Sequence, residues 1–276
     1  MTIEDLNKAS EEDIEEIRSS IDFVSDLRSF IWESGNKEGM TLKEYKDFLV
    51  NRQPKDCETC RGTGEVMPRA RSVGTIHASS AHKCRAALYY DITGEFKPKP
   101  RFDVSTLLTF EIGHALHEAV QKALAKMYGS KFREEVRVDL PEAFVSGSSA
   151  DGVIELDNCR VLLEIKSIGS AFKSLASPKS EHRVQAGGIY ATALDCPFVA
   201  YLYVEKAWPH NFKLFVEPYD TEIYSWWWKK KGSWVEKALW LDDPPLADST
   251  KWECVDCKYS EYCTQYIDPK QNKQFK

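Results

Sequence analysis

Apolar residues recur at three- and four-residue steps early in the chain, at Ile14, Ile17, Ile21, Val24, Leu27 and Ile31. This spacing lines one face of a helix, so residues 1 to about 50 read as a helical extension packed on a main domain. A short second helix is expected after Gly39, where Thr41 as N-cap and Glu44 three residues on form a capping box. From 51 to 76 the pattern breaks into a Gly- and Arg-rich stretch headed by Cys57-x-x-Cys60. Helical patterning resumes from Ser79 (SSAHKCRAALYYD), which puts Cys84 in the second turn, and again from about 105 to 126.

The periodicity then drops to two. VRVDL, DGVIEL and CRVLLEIKS read as successive strands, with Asp157-Asn158 as the turn between the last two. A helix over about 180–194, the strand FVAYLYVEK and a Trp-rich helix after Pro218 follow, and a polar Pro stretch leads to C-terminal cysteines. The order helix, meander, helix, strand predicts an α/β fold, a mixed sheet flanked by helices. The boundary falls near 76: an N-terminal helical extension with a C-x-x-C hairpin over 1–76, and the α/β domain over 77–276.

Composition narrows the class. Of 276 residues, 42% are hydrophobic and 29% charged, ordinary for a soluble globular protein. No apolar run approaches the roughly 20 residues that span a bilayer. The acidic, polar opening MTIEDLNKASEEDIEE resembles neither a signal nor a transit peptide, so a cytoplasmic location is expected. The net charge of −6 argues against a protein that coats nucleic acid, and any such contact must come from local basic patches.

The sharpest candidate chemistry is Asp151 with Glu164-Ile165-Lys166. Side chains alternate along a strand, so Glu164 and Lys166 share one face while Ile165 takes the other. The turn at 157–158 brings Asp151 beside Glu164. Two carboxylates and a lysine suit phosphodiester hydrolysis, in which oxygen ligands hold Mg²⁺ or Mn²⁺ and the lysine orients water or stabilises developing charge. The competing reading is a solvated ion pair, against which stands the apolar run VLLEIKS. His117 sits at the edge of the stripe Leu116, Val120, Ala123 and Met127, either as a metal ligand or as a half-buried core histidine; His114 is expected to face solvent. Gln185 and Tyr190 on the later helix are compatible with simple packing.

Eight cysteines stand at 57, 60, 84, 159, 196, 254, 257 and 263. In a reducing compartment, paired C-x-x-C spacings point to metal. Cys254-x2-Cys257-x5-Cys263 supplies three thiolates for a [4Fe–4S] cluster or for zinc, with a fourth ligand from elsewhere. Cys57 and Cys60 look like half of a zinc knuckle that His77 and His82 complete, or else a hairpin without that metal. Cys159 and Cys196 read as packing residues. Trp226-Trp227-Trp228 followed by Lys229-Lys230-Lys231 combines stacking and phosphate-neutralising groups. Consecutive helical residues step by about 100°, so at least one of these tryptophans belongs to the core. Lys229, Lys230, Lys231 and Arg183 are candidate DNA contacts, with Arg69, Arg71, Lys173 and Lys179 as further basic candidates.

Taken in order, Gly113–His117, Asp151, Glu164–Lys166 and Gln185–Tyr190 resemble the RecB-like nucleases of the PD-(D/E)XK superfamily. Cys84 in HKCRAALYY, with three cysteines after the nuclease motifs, resembles the iron–sulfur branch that includes the CRISPR-associated Cas-four type exonucleases. The resemblance spans 77–263. It departs at Ala150, where the superfamily name has proline, and in the five-residue step from Gln185 to Tyr190, where four is usual.

The resemblance implies a restriction-endonuclease-like fold whose C-terminal segment is pinned by a [4Fe–4S] cluster on Cys84, Cys254, Cys257 and Cys263. It implies His117, Asp151, Glu164 and the Ile165 carbonyl as Mg²⁺ or Mn²⁺ ligands, Lys166 as the water-orienting residue, and Gln185 as a contact to substrate or water. The expected activity is a DNA exonuclease, preferring single strands. Two rivals stay open: a non-catalytic DNA-binding or adaptor protein on the same fold, and a zinc-stabilised nucleic-acid-binding module.

Overall fold

The computed structural model describes residues 1–21, 23, 24, 26, 27, 74–94, 104–207, 211–249, 253, 254, 257–260 and 263. Cys57, Cys60, Arg69, Arg71, Ile31 and the helix expected after Gly39 lie outside them. The described helices and strands are α1 (Ile3–Leu6), α2 (Glu11–Ser20), α3 (Arg85–Thr93), α4 (Val104–Tyr128), β1 (Phe132–Leu140), β2 (Val145–Glu155) and β3 (Arg160–Ile168). A helical run, α5, joins an α-turn at Ser180–His182, a π-helical stretch at Arg183–Tyr190 and a last α-turn at Ala191–Leu194. Then come β4 (Phe198–Glu205), β5 (Phe212–Pro218) and α6, which is α-helical over Thr221–Trp227, π-helical over Trp228–Gly232 and α-helical over Ser233–Leu241.

The five strands form one sheet in chain order, antiparallel except for the β3–β4 pair. A parallel pair needs a crossover, and α5 supplies it. Every residue of β4 is buried, as expected of a strand covered on both faces. On one face Leu162, Tyr201 and Tyr203 pack with Val184, Ile189 and Tyr190 of α5 and with Trp227 of α6. On the other, Leu163, Ile165, Leu202 and Val204 pack with Val120, Ala123 and Leu124 of α4 and with Ile17, Ile21 and Leu27 of the N-terminal segment. The fold is the α/β layout expected from the sequence, a mixed sheet between helices. Among the described residues no helix is long and apolar enough to cross a membrane.

Three details differ from the sequence pattern. The helix expected from Ser79 starts at Arg85, and Cys84 is its N-cap rather than part of its second turn. The preceding chain is drawn into sheet contacts instead: Ile76 bridges Val145, and the Ala78 N–H donates to the Ser148 hydroxyl at 3.0 Å. Tertiary pairing outbids local propensity there. β2 begins at Val145, several residues earlier than the run DGVIEL suggests. β5 was not anticipated, although Phe212, Leu214 and Val216 alternate as a strand requires.

Candidate active site

The site lies where two ladders fail around one residue. The β2–β3 pairing ends at Gly152↔Leu163, so Asp151 and Glu164, next in register, are not paired as strand neighbours. The Ile165 N–H is taken instead by Asp151 Oδ2 at 2.6 Å. From the α4 side, His117 Nδ1 stands 3.4 Å from Asp151 Oδ1. Gly113, one helical turn earlier, lets α4 approach β3: a Cβ there would lie 3.1 Å from Ser167 Oγ.

Glu164 is 1% exposed and ion-pairs with the Lys166 ammonium. The paired oxygen is Oε1, which is itself buried. Burial pushes the Glu164 carboxyl up to about 7; the Lys166 ammonium pulls against this and the Asp151 charge adds to it. Burial also works to raise Asp151, but the His117 contact, Lys166 and the Ile165 N–H together hold it below the ordinary carboxylate range. Lys166 keeps its proton more firmly than an exposed lysine, since Glu164 and Asp151 outweigh the cost of burial. Of two neighbouring carboxylates, Asp151 is thus held charged, while at Glu164 burial outweighs the Lys166 ion pair.

α5 closes the other face of the sheet. Its π-helical backbone closes i→i+5 turns, so the five-residue step from Gln185 to Tyr190 brings the two together: Gln185 Nε2 donates to Tyr190 Oη at 3.0 Å. Burial pushes the Tyr190 hydroxyl far above its ordinary pKa. Tyr203, opposite Lys166 in the β3–β4 register, hydrogen-bonds His182 Nδ1 at 2.7 Å. Burial and the nearby Lys166 charge lower the His182 pKa to about 4, so this imidazole is neutral.

Sequence reasoning missed a second layer. Gln121, one turn after His117, donates to the Asp151 carbonyl at 2.8 Å and to Glu135 Oε1 at 3.0 Å. Ser149 Oγ donates to Glu135 Oε2 at 2.6 Å. The available signal was the i, i+4 spacing of His117 and Gln121 on one helix face.

Cys84, Cys254, Cys257 and Cys263 line one cavity of about 740 Å³, together with His82, Trp226 and Lys231. Burial raises the Cys257 thiol, and the other three cysteines add to the effect. Protein contacts ring this cavity. Asp91 Oδ1 receives the Tyr259 hydroxyl at 2.6 Å and pairs with Lys258. Asp248 receives the Arg85 N–H at 2.8 Å and the Lys231 ammonium at 3.1 Å. Four thiols on one cavity are a donor set suited to zinc or an iron–sulfur cluster, while the two neighbouring carboxylates Asp151 and Glu164 suit a hard cation. Among the described residues no three His, Cys, Asp or Glu side chains already close around a single-ion position. His82 lines the cysteine cavity, and His77 Nδ1 bonds Ser79 Oγ at 2.8 Å.

No protein-family model and no curated protein matches this sequence. Solved structures do. SSO0001 is similar at 18% identity and a TM-score of 0.44, over 81% of this chain and 98% of its own. The alkaline exonuclease LHK-Exo from Laribacter hongkongensis is similar at 15% identity and a TM-score of 0.45, over 62% of this chain and 90% of its own. Its complex with dAMP gives 16% and 0.47 over the same shares. At this distance the likeness concerns the path of the backbone, and the chemistry is read from the side chains.

The expected DNA contacts divide. Lys229 and Lys230 are exposed. Lys231 is 8% exposed and turned inward, donating to the Lys83 carbonyl at 2.7 Å and to Asp248, so it is a structural group rather than a phosphate contact. Arg183 is clamped by both oxygens of Glu217. Trp227 is fully buried with its Nε1–H on the Ala81 carbonyl, whereas Trp226 is exposed. His114 faces solvent, and Cys159 and Cys196 are buried in the two cores.

Proposed function

We propose that this protein is a divalent-metal-dependent DNA nuclease, acting as an exonuclease with a preference for single strands. The observation that carries the reading is the constellation at Glu164: a carboxylate 1% exposed, ion-paired with a protonated Lys166 and set beside a charged Asp151. Burying such a group is costly unless the site uses it. Asp151, Glu164, His117 and the Ile165 carbonyl would hold Mg²⁺ or Mn²⁺. The bound ion supplies charge neutralisation at the phosphate and a more acidic water.

The protein's own groups do the rest. Lys166 directs its ammonium to the water or to the charge that builds on the phosphate. His117 and the Ile165 N–H keep both oxygens of Asp151 oriented. Gln185, held by Tyr190, stands ready to bond substrate or water. Cys84, Cys254, Cys257 and Cys263 would hold a [4Fe–4S] cluster in a structural role, tying α3 to the C-terminal segment.

The test is cleavage of end-labelled single-stranded DNA with Mn²⁺ by anaerobically purified protein, wild type against Lys166→Ala. Loss of an electrostatic group of this kind costs about 10²–10³ in rate, so the variant should bind DNA and cut it at least that much more slowly. If wild-type protein with its cysteine cavity loaded binds DNA and cuts nothing, the catalytic reading is wrong and a binding protein takes its place.

A further inference from the structure

The β1–β2 register runs from Glu134↔Gly152 directly to Val136↔Ala150, leaving Glu135 and Asp151 facing each other but unpaired. Asp151 therefore lacks a register partner on either side, since the β2–β3 ladder also stops before it. At this gap Glu135 has φ +49°, the left-handed region that L side chains rarely adopt. A non-glycine residue in this conformation inside a strand persists only where its surroundings demand it, and such outliers gather at functional sites.

The demand is visible in the contacts. Gln121 is 7% exposed, and the two hydrogens of its amide suit two acceptors: the Asp151 carbonyl at 2.8 Å and Glu135 Oε1 at 3.0 Å. The other oxygen of Glu135 is fixed by Ser149. Gln121 and His117 are four residues apart on α4, so one face of the helix grips the main chain of Asp151 and its side chain. We propose that Gln121, oriented by Glu135, is a positioning residue that sets Asp151 for divalent-metal binding. Glu135 is twisted out of the ladder in order to hold that amide. The inference rests on the nuclease reading and adds to it two residues outside the ligand set.

The experiment is Mn²⁺ titration calorimetry on the full chain, paired with thermal melting, for wild type, Gln121→Leu, Glu135→Gly and Glu135→Gln. Partners that orient metal ligands are typically worth 10–100-fold in affinity, and Gln121→Leu should weaken Mn²⁺ binding by about that factor. Glu135→Gly should weaken it comparably while melting at or above the wild-type temperature, because glycine accepts positive φ without strain. Glu135→Gln keeps an acceptor for Gln121 and should restore affinity close to wild type. Should Gln121→Leu fail to fold, the two Glu135 variants decide the matter. Wild-type affinity in Gln121→Leu or Glu135→Gly, or a Glu135→Gly protein that melts lower, overturns the positioning role and leaves the nuclease reading standing. A wild type that neither takes up Mn²⁺ nor cuts DNA removes the reading itself, and the positioning role with it.

Discussion

The carboxylate–lysine centre and the cysteine cavity are built on different principles. Around Asp151 the protein contributes nearly every contact: His117, the Ile165 N–H and Gln121 fix one carboxylate, and Lys166 sits against the other. Around the cysteines, the walls are tied by Asp91 and Asp248, while the four thiols stay half-buried and burial raises that of Cys257. The first site is preorganised by its own chain. The second is framed by its own chain and would be completed by what the thiols hold. Damage to the first should therefore appear in chemistry, and damage to the second in folding.

The most severe break in that comparison is Cys84→Ala. The proposed cluster would join Cys84 to Cys254 and so close a loop around the whole sheet. By chain entropy a cross-link of that length is worth about 5 kcal/mol. For a protein of this size that corresponds to a melting temperature lower by roughly 10–20 °C. Iron content and melting temperature, measured together on anaerobically prepared protein, check it. A variant that keeps its iron and melts with wild type would show that the cavity is not what holds the C-terminal segment.

Lys231→Met probes the frame without touching the thiols. Its ammonium is buried on the Lys83 carbonyl and Asp248, and removing it leaves a partly buried carboxylate with one partner fewer. Loss of a hydrogen bond to a charged group costs about 1.5–3 kcal/mol. The melting temperature should fall by several degrees, with cleavage unchanged at temperatures where the fold is intact. Equal melting of variant and wild type would mean that the Arg85–Asp248 contact and the Asp91, Lys258 and Tyr259 group carry the frame without Lys231.

How far the sequence disclosed these two regions follows from the physics of each. Glu164-Ile165-Lys166 was legible because strand alternation fixes the faces of three adjacent residues, and the turn at 157–158 set the distance to Asp151. The link between Gln185 and Tyr190 was obscured because a five-residue step fits no α-helical face; a π-helical stretch, which no local pattern announces, makes it a contact. Gln121 could be placed on the His117 face of its helix, but its link to Glu135 was hidden for a deeper reason. Their partnership depends on a skipped register position between β1 and β2, a property of the assembled sheet. Lys231 was misread because three adjacent lysines look alike in sequence, and only packing against Lys83 and Asp248 separates the buried one.

That last distinction sharpens into the smallest expected effect. Lys229 and Lys230 are exposed beside the inward Lys231, and Trp226 is exposed on the same helical run. Exposed lysines contribute to nucleic-acid affinity by releasing counterions from phosphates, at about 0.7 in the log–log salt slope per phosphate on a single strand. The double variant Lys229→Ala/Lys230→Ala should therefore bind single-stranded DNA more weakly and with a slope shallower by up to about 1.4. Its melting temperature should hardly move, because exposed substitutions of this kind stay within about 0.5 kcal/mol. Fluorescence anisotropy across a salt series gives the slope directly. An unchanged slope would place the DNA path away from α6 and confine this helix to the frame of the cysteine cavity.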